Sequence, residues 1–146
     1  MVIHTDGNLL ESGEKVIAHG CNCFHLMGSG IARAIANKWP EVPRVDRAHH
    51  KRGDINALGT ISLATLEEIT VLNLYTQYQP GRSFEYAALR DCIRKLERSK
   101  YTDIAIPRIG CGIGGGDWPV VEELLQNTHV NFTVYTYAQE AQQERR

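Results

Sequence analysis

Residues 104–118 read Ile104-Ala105-Ile106-Pro107-Arg108-Ile109-Gly110-Cys111-Gly112-Ile113-Gly114-Gly115-Gly116-Asp117-Trp118. A short apolar run with β-branched residues, closed by a proline and followed by five glycines in seven residues, predicts a buried strand emptying into a loop. Glycine gives up more chain entropy on ordering than any other residue, so this many together imply unusual φ values or a ligand lying against the main chain. Trp118, Val121, Leu124 and Leu125 then mark one face of a helix that tolerates Pro119 in its first turn, with Asp117 at the N-cap position. Strand, glycine loop and helix start together suit an anion. Successive N–H groups form a concave nest, and a helix N-terminus adds roughly half a positive charge, so a phosphate is the expected guest.

Gly110, Gly112 and Gly115 also satisfy G-x-G-x-x-G. A dinucleotide fold wants that fingerprint after its first strand, with an acidic residue about 20 positions on. Here it lies near the C-terminus with one strand left, so position rules that fold out. No G-x-x-x-x-G-K-[ST] occurs, which excludes a P-loop NTPase.

Upstream, Lys15-Val16-Ile17-Ala18-His19 is a second strand that ends in a glycine-bearing loop, Gly20 to Gly30. A helix opens at once, with Ile31, Ile35 and Trp39 on one stripe, and Pro40 stops it. Strand, polar loop, glycines and helix thus occur twice. In a parallel sheet the two loops would meet at the carboxyl ends of their strands, where open α/β sheets bind ligands. Between them, Arg44 to Arg52 is a charged, His-containing segment without interleaved aromatic residues, expected as a solvated helical face rather than a nucleic-acid patch. Gly59 to Thr65 and Thr70 to Tyr75 are spaced as a hairpin, the antiparallel part of a mixed sheet. Tyr86, Leu89, Ile93 and Leu96 repeat at helical spacing, and Val2 to Thr5 and Asn131 to Tyr137 are the first and last strands. Helices interleaved with apolar strands predict a three-layer α/β/α domain around a mixed, mostly parallel central sheet.

The chain has 146 residues, 42 % of them hydrophobic, enough for one domain with its own core and too few for two. The expected division is a single domain over 1–137 and a polar tail over 138–146. Net charge is −1, so bulk electrostatics select neither nucleic acid nor an anionic membrane, and an anionic ligand must be held by local N–H groups and a few cations. No apolar run approaches the length of a membrane span, and Cys21, Cys23, Cys92 and Cys111 show no disulfide-scaffold spacing. The expectation is a monomeric, cytoplasmic protein with reduced thiols.

Two separated motifs carry a family resemblance: Ala18-His19-Gly20-Cys21-Asn22-Cys23 with Met27-Gly28-Ser29-Gly30-Ile31-Ala32, and Ile106 to Gly112 with Gly114-Gly115-Gly116-Asp117-Trp118. Together they resemble the macrodomains, in the branch of the ADP-ribose 1''-phosphate phosphatases and terminal ADP-ribose glycohydrolases. The resemblance implies ADP-ribose, or ADP-ribose 1''-phosphate, lying across the carboxyl ends of the strands. Asn22 would contact the distal ribose, Met27, Gly28, Ser29, Gly30 and Ile31 would present the first phosphate loop, and Gly110, Cys111, Gly112, Ile113 and Gly114 would close over the diphosphate. Asp117 would position water or act as base and His19 would donate the proton, with no metal and no cofactor. The family commonly has Gly-Asp where this chain reads Gly7-Asn8. Asn8 can still accept from an adenine amino group but without the charge. The lysine-dependent glycohydrolases carry their nucleophile where this chain reads Leu74-Tyr75-Thr76-Gln77, and Gln77 cannot form a Schiff base.

His19, Cys21, Cys23 and His25 alternate as H-x-C-x-C-x-H, but alternate strand residues stand roughly 7 Å apart, too far for four ligands on one ion. The leading expectation is hydrolysis of ADP-ribose 1''-phosphate. The alternatives are a module that reads ADP-ribose without chemistry and a hydrolase that removes it from protein or nucleic acid, the latter being the one way nucleic acid would enter.

Overall fold

Alternation along the strands divides the core in two. The computed structural model describes residues 1–137; the expected tail, 138–146, lies outside the described residues. In chain order the elements are β1 (Val2–Asp6), β2 (Val16–Cys21), α1 (Gly30–Lys38), α2 (Glu41–His49), β3 (Ile61–Thr65), β4 (Thr70–Tyr75), α3 (Tyr86–Glu97), β5 (Asp103–Ile106), α4 (Trp118–Gln126) and β6 (Asn131–Thr136). The strands form one sheet in the order β1-β6-β5-β2-β4-β3. Every neighbouring pair is parallel except the β3–β4 hairpin, so the sheet is mixed as the sequence predicts.

Because side chains alternate across a strand, consecutive apolar residues serve opposite faces. Ile17, Val71 and Ala105 pack with Ile35 of α1 and Val42 of α2. Their neighbours Ala18, Leu72, Ile104 and Ile106 pack with Leu89, Ile93 and Leu96 of α3 and Val121 and Leu125 of α4. Each central strand is therefore buried on both sides, which explains its near-continuous apolar sequence. Each large aliphatic side chain sealed this way contributes about 1.5–3 kcal/mol relative to leaving it in water.

Two details set up the site. β2 runs two residues past His19 to Cys21, so His19 is a strand residue sealed within the sheet layer. The Arg44 to Arg52 segment does supply a helix, α2, yet Asp46 is 1 % exposed and the His50 side chain 4 %. The expected solvated face thus carries buried polar groups on its inner side.

Candidate functional site

The loops leaving the carboxyl ends of β5, β2 and β4, three adjacent parallel strands, enclose a cavity of about 490 Å³. That is the size of an ordinary small-molecule site. One wall is the N-terminus of α1, from Leu26 to Ala32. Ser29 holds the N-cap position with an extended backbone, and its side chain makes no capping hydrogen bond. The first-turn N–H groups of α1 therefore lack a side-chain partner, and the positive end of the helix faces the cavity. A Cβ added at Gly28 or Gly30 would meet nothing within 4 Å, so these glycines border open space.

The opposite wall is Gly110, Gly112, Ile113 and Gly114. Here glycine serves a different purpose. Gly110 has φ +76°, and a Cβ on it would lie 2.4 Å from the Phe84 ring. The Gly116 N–H donates to the Gly110 carbonyl at 2.7 Å, and a Cβ on Gly116 would lie 2.7 Å from that same oxygen. The loop folds back on itself around Phe84. Gly115, Gly116 and Asp117 do not line the cavity, so the helix end that faces it belongs to α1 and not, as the sequence suggested, to α4. Arg108 is also on the wall, and its guanidinium stacks 5.0 Å over the Trp118 ring.

Of the residues anticipated as ligand contacts, Asn22, Met27, Gly28, Ser29, Gly30, Ile31, Gly110, Gly112, Ile113 and Gly114 line the cavity. Asn8 and Cys111 do not. The Asn8 Oδ1 accepts the Leu10 N–H at 3.0 Å, capping a short 3₁₀ turn, and the Cys111 thiol donates to the Ile109 carbonyl. Asn22 is on the wall, but its amide braces its own loop: Oδ1 accepts from the Phe24 and Leu26 N–H groups, and Nδ2 donates to the Leu26 carbonyl. Thr76, Gln77 and Arg108 line the cavity without having been singled out as contacts. The first two directly follow β4, and the rule that ligands sit beyond strand ends would have found them. The Thr76 hydroxyl is buried with no hydrogen-bond partner among the described residues.

The two residues anticipated as catalytic are not brought together on the wall. Asp117 is exposed, its side chain does not cap α4, and its backbone N–H donates to the Tyr86 hydroxyl. His19 is fully buried, and burial lowers its pKa to about 4, so the ring is neutral at neutral pH. Its Nε2–H donates to Asn73 Oδ1 at 2.6 Å. Asn73 Nδ2 donates to Ser62 Oγ, the Ser62 hydroxyl to the Tyr75 oxygen, and the Tyr75 hydroxyl to Asp46 Oδ1. Every donation in this buried chain runs toward Asp46, an arrangement in which each bond polarises the next. Cys21, with Sγ 3.5 Å from His19 Nε2, separates the imidazole from the cavity, and burial raises its thiol pKa well above the usual range.

Among the described residues, no helix is long and apolar enough to cross a membrane. The Macro domain family model matches residues 18–125. An uncharacterised 17.5 kDa protein of Enterobacteria phage T4 is 41 % identical over 122 residues, covering 76 % of this chain and 77 % of that protein. An ADP-ribose 1''-phosphate phosphatase of Candida albicans is 28 % identical, covering 92 % and 99 %. A DNA ADP-ribosyl glycohydrolase of Mycobacterium tuberculosis is 27 % identical, covering 86 % of this chain but 38 % of that protein. The solved macrodomain of M. tuberculosis DarG superposes with a TM-score of 0.75 at 26 % identity, covering 92 % and 97 %. Family match, strand order and the cavity at the strand ends agree: this chain belongs to the macrodomain family.

Proposed function

We propose that the cavity binds ADP-ribose and that the protein hydrolyses the phosphomonoester of ADP-ribose 1''-phosphate. The observation that carries this reading is the uncapped N-terminus of α1 facing the Gly110–Gly114 backbone across a cavity of nucleotide size. Opposed N–H donors suit a diphosphate, and Arg108 adds a positive charge beside them. In the reaction, water adds to phosphorus, the bond to the 1'' oxygen breaks, and that oxygen takes up a proton, giving ADP-ribose and inorganic phosphate. Phosphoryl transfer asks chiefly for positioning and for stabilisation of the equatorial oxygens, which N–H groups and a guanidinium supply. His19 supports β2 from beneath, and Asp117 stays at the surface.

Removal of ADP-ribose through a lysine nucleophile finds no support in the wall. Gln77 occupies the lysine's place, and its Nε2 donates to the Gln79 and Gly81 carbonyls. No lysine or carboxylate is among the described residues lining the cavity. The same composition favours, as the second reading, a module that binds ADP-ribose without turnover.

Phosphorus NMR of ADP-ribose 1''-phosphate with catalytic amounts of protein separates the two. Conversion of the monoester signal to inorganic phosphate with the diphosphate intact is expected. An unchanged monoester, with diphosphate signals perturbed at stoichiometric protein, would leave the binding module.

A further inference from the structure

Outside the cavity, His25 from the loop after β2 meets Asp46 and His50 of the α2 region. His25 Nδ1 lies 3.1 Å and His50 Nε2 3.5 Å from Asp46 Oδ1, with side chains 12 %, 4 % and 2 % exposed for His25, His50 and Asp46. Among the described residues neither nitrogen makes a hydrogen bond, although both are buried. Their opposite ring nitrogens meet backbone carbonyls. His25 Nε2 is 3.0 Å from the His50 carbonyl, and His50 Nδ1 is 2.8 Å from the Lys51 carbonyl. Carbonyls only accept, so those nitrogens carry protons, and His25 Nδ1 and His50 Nε2 are the ring atoms turned toward the carboxylate. The same Oδ1 already accepts from the Tyr75 hydroxyl at 2.8 Å, at the end of the hydrogen-bonded chain from His19.

Three donor atoms converging in a buried place are positioned to hold a positive charge between them. The geometry points to a divalent transition-metal ion of the zinc class, held by His25 Nδ1, His50 Nε2 and Asp46 Oδ1. Bonds of about 2.0–2.1 Å in a tetrahedron put ligand atoms about 3.3 Å apart; the two nitrogens stand 3.1 and 3.5 Å from Asp46 Oδ1, and all three atoms lie within 4.8 Å of one another. Two imidazoles and a carboxylate are a donor set for such ions, and each histidine's other N–H is anchored on a backbone carbonyl, as outer-shell partners of metal-bound histidines are. His25 is also the one non-glycine residue with positive φ among those described, +59°, a conformation that presents its ring to Asp46. The ion would tie the loop that supplies the cavity wall from Leu26 onward to α2. This departs from the sequence expectation of a protein without metal, and it uses one residue of the H-x-C-x-C-x-H pattern, not four.

The test is to strip the purified protein with chelator, remove the chelator, and titrate Zn²⁺ by calorimetry, with elemental analysis of the dialysed product and a parallel Co²⁺ titration read by visible absorption. One ion per chain is expected, with a tetrahedral cobalt spectrum and a metal-dependent rise in melting temperature. His25→Asn, which keeps a residue tolerant of the left-handed backbone, and His50→Gln should each weaken binding by about tenfold or more. Wild-type protein that takes up no ion, or variants that bind like wild type, would overturn the proposal. If the variants do not fold, the wild-type cobalt spectrum decides: thiolate-to-metal charge transfer would put the ion on Cys21 or Cys23 and equally overturn it.

Discussion

The two glycine loops look alike in sequence and differ in what their glycines are for. In the loop after β2, Gly28 and Gly30 border empty space and leave the start of α1 exposed to the cavity. In the loop after β5, Gly110 and Gly116 are wanted because the chain doubles back against Phe84 and its own carbonyl. One loop leaves open space beside its glycines at the cavity; the other needs glycine so that the loop can close. What lies below differs as well. Ile104 to Ile106 of β5 are apolar core, whereas β2 carries His19 and the buried chain to Asp46. Glycine density therefore marks a constrained loop, and which constraint applies depends on what packs against it.

The sharpest break in the comparison comes from Gly110→Ala. Its methyl group would overlap the Phe84 ring at a left-handed φ, which should cost about 4 kcal/mol, measurable as a large drop in the denaturation midpoint. Phe84→Ala in the same chain should recover part of the loss, a coupling that a double-mutant cycle reads.

Next comes the footing of β2. His19 has a pKa of about 4 in the folded protein against 6.5 in the unfolded chain. Between those values the unfolded chain binds a proton that the folded one does not, so this contribution is complete above pH 6.5 and is lost as the pH falls toward 4. It approaches about 1.4 kcal/mol per pH unit and totals about 3 kcal/mol. Denaturation across that window should show it, and His19→Gln should flatten the slope.

Gly28→Ala should do the reverse of Gly110→Ala. Its backbone is not left-handed and its Cβ meets nothing, so stability should stay within about 0.5 kcal/mol, while a methyl group in the ligand's space lowers ADP-ribose affinity about tenfold. The smallest effect is expected at Asp117→Ala. Its side chain neither caps α4 nor lines the cavity, so melting temperature and turnover should both hold. Loss of turnover would return Asp117 to the mechanism.

The contrast also shows how far the sequence could be read. The sheet, its hairpin and the helices were legible because apolar periodicity and the stops at Pro40 and Pro107 act locally. So were the two loops, since each follows a strand directly. Which residues of a loop face the cavity was not, because it depends on contacts such as Gly110 with Phe84 that are distant along the chain. The same limit put Asn8 and Cys111 among the ligand contacts and the start of α4 beside the cavity, whose wall holds the start of α1. Asp46 and His50 were hidden for a further reason. In a stretch as charged as Arg44 to Arg52, the residues turned inward differ from the solvated ones only by their partners, His25 and Tyr75, which other parts of the chain supply.

The most direct measurement is a set of nitrogen–proton correlation spectra of the labelled protein titrated with ADP-ribose. The amides of Gly28, Ser29, Gly30 and Ile31 should shift most, with Gly112 to Gly114 following and Gly115 and Gly116 nearly still. Shifts centred on Gly115, Gly116 and Asp117, with residues 28–31 unmoved, would contradict the assignment of the anion to the start of α1.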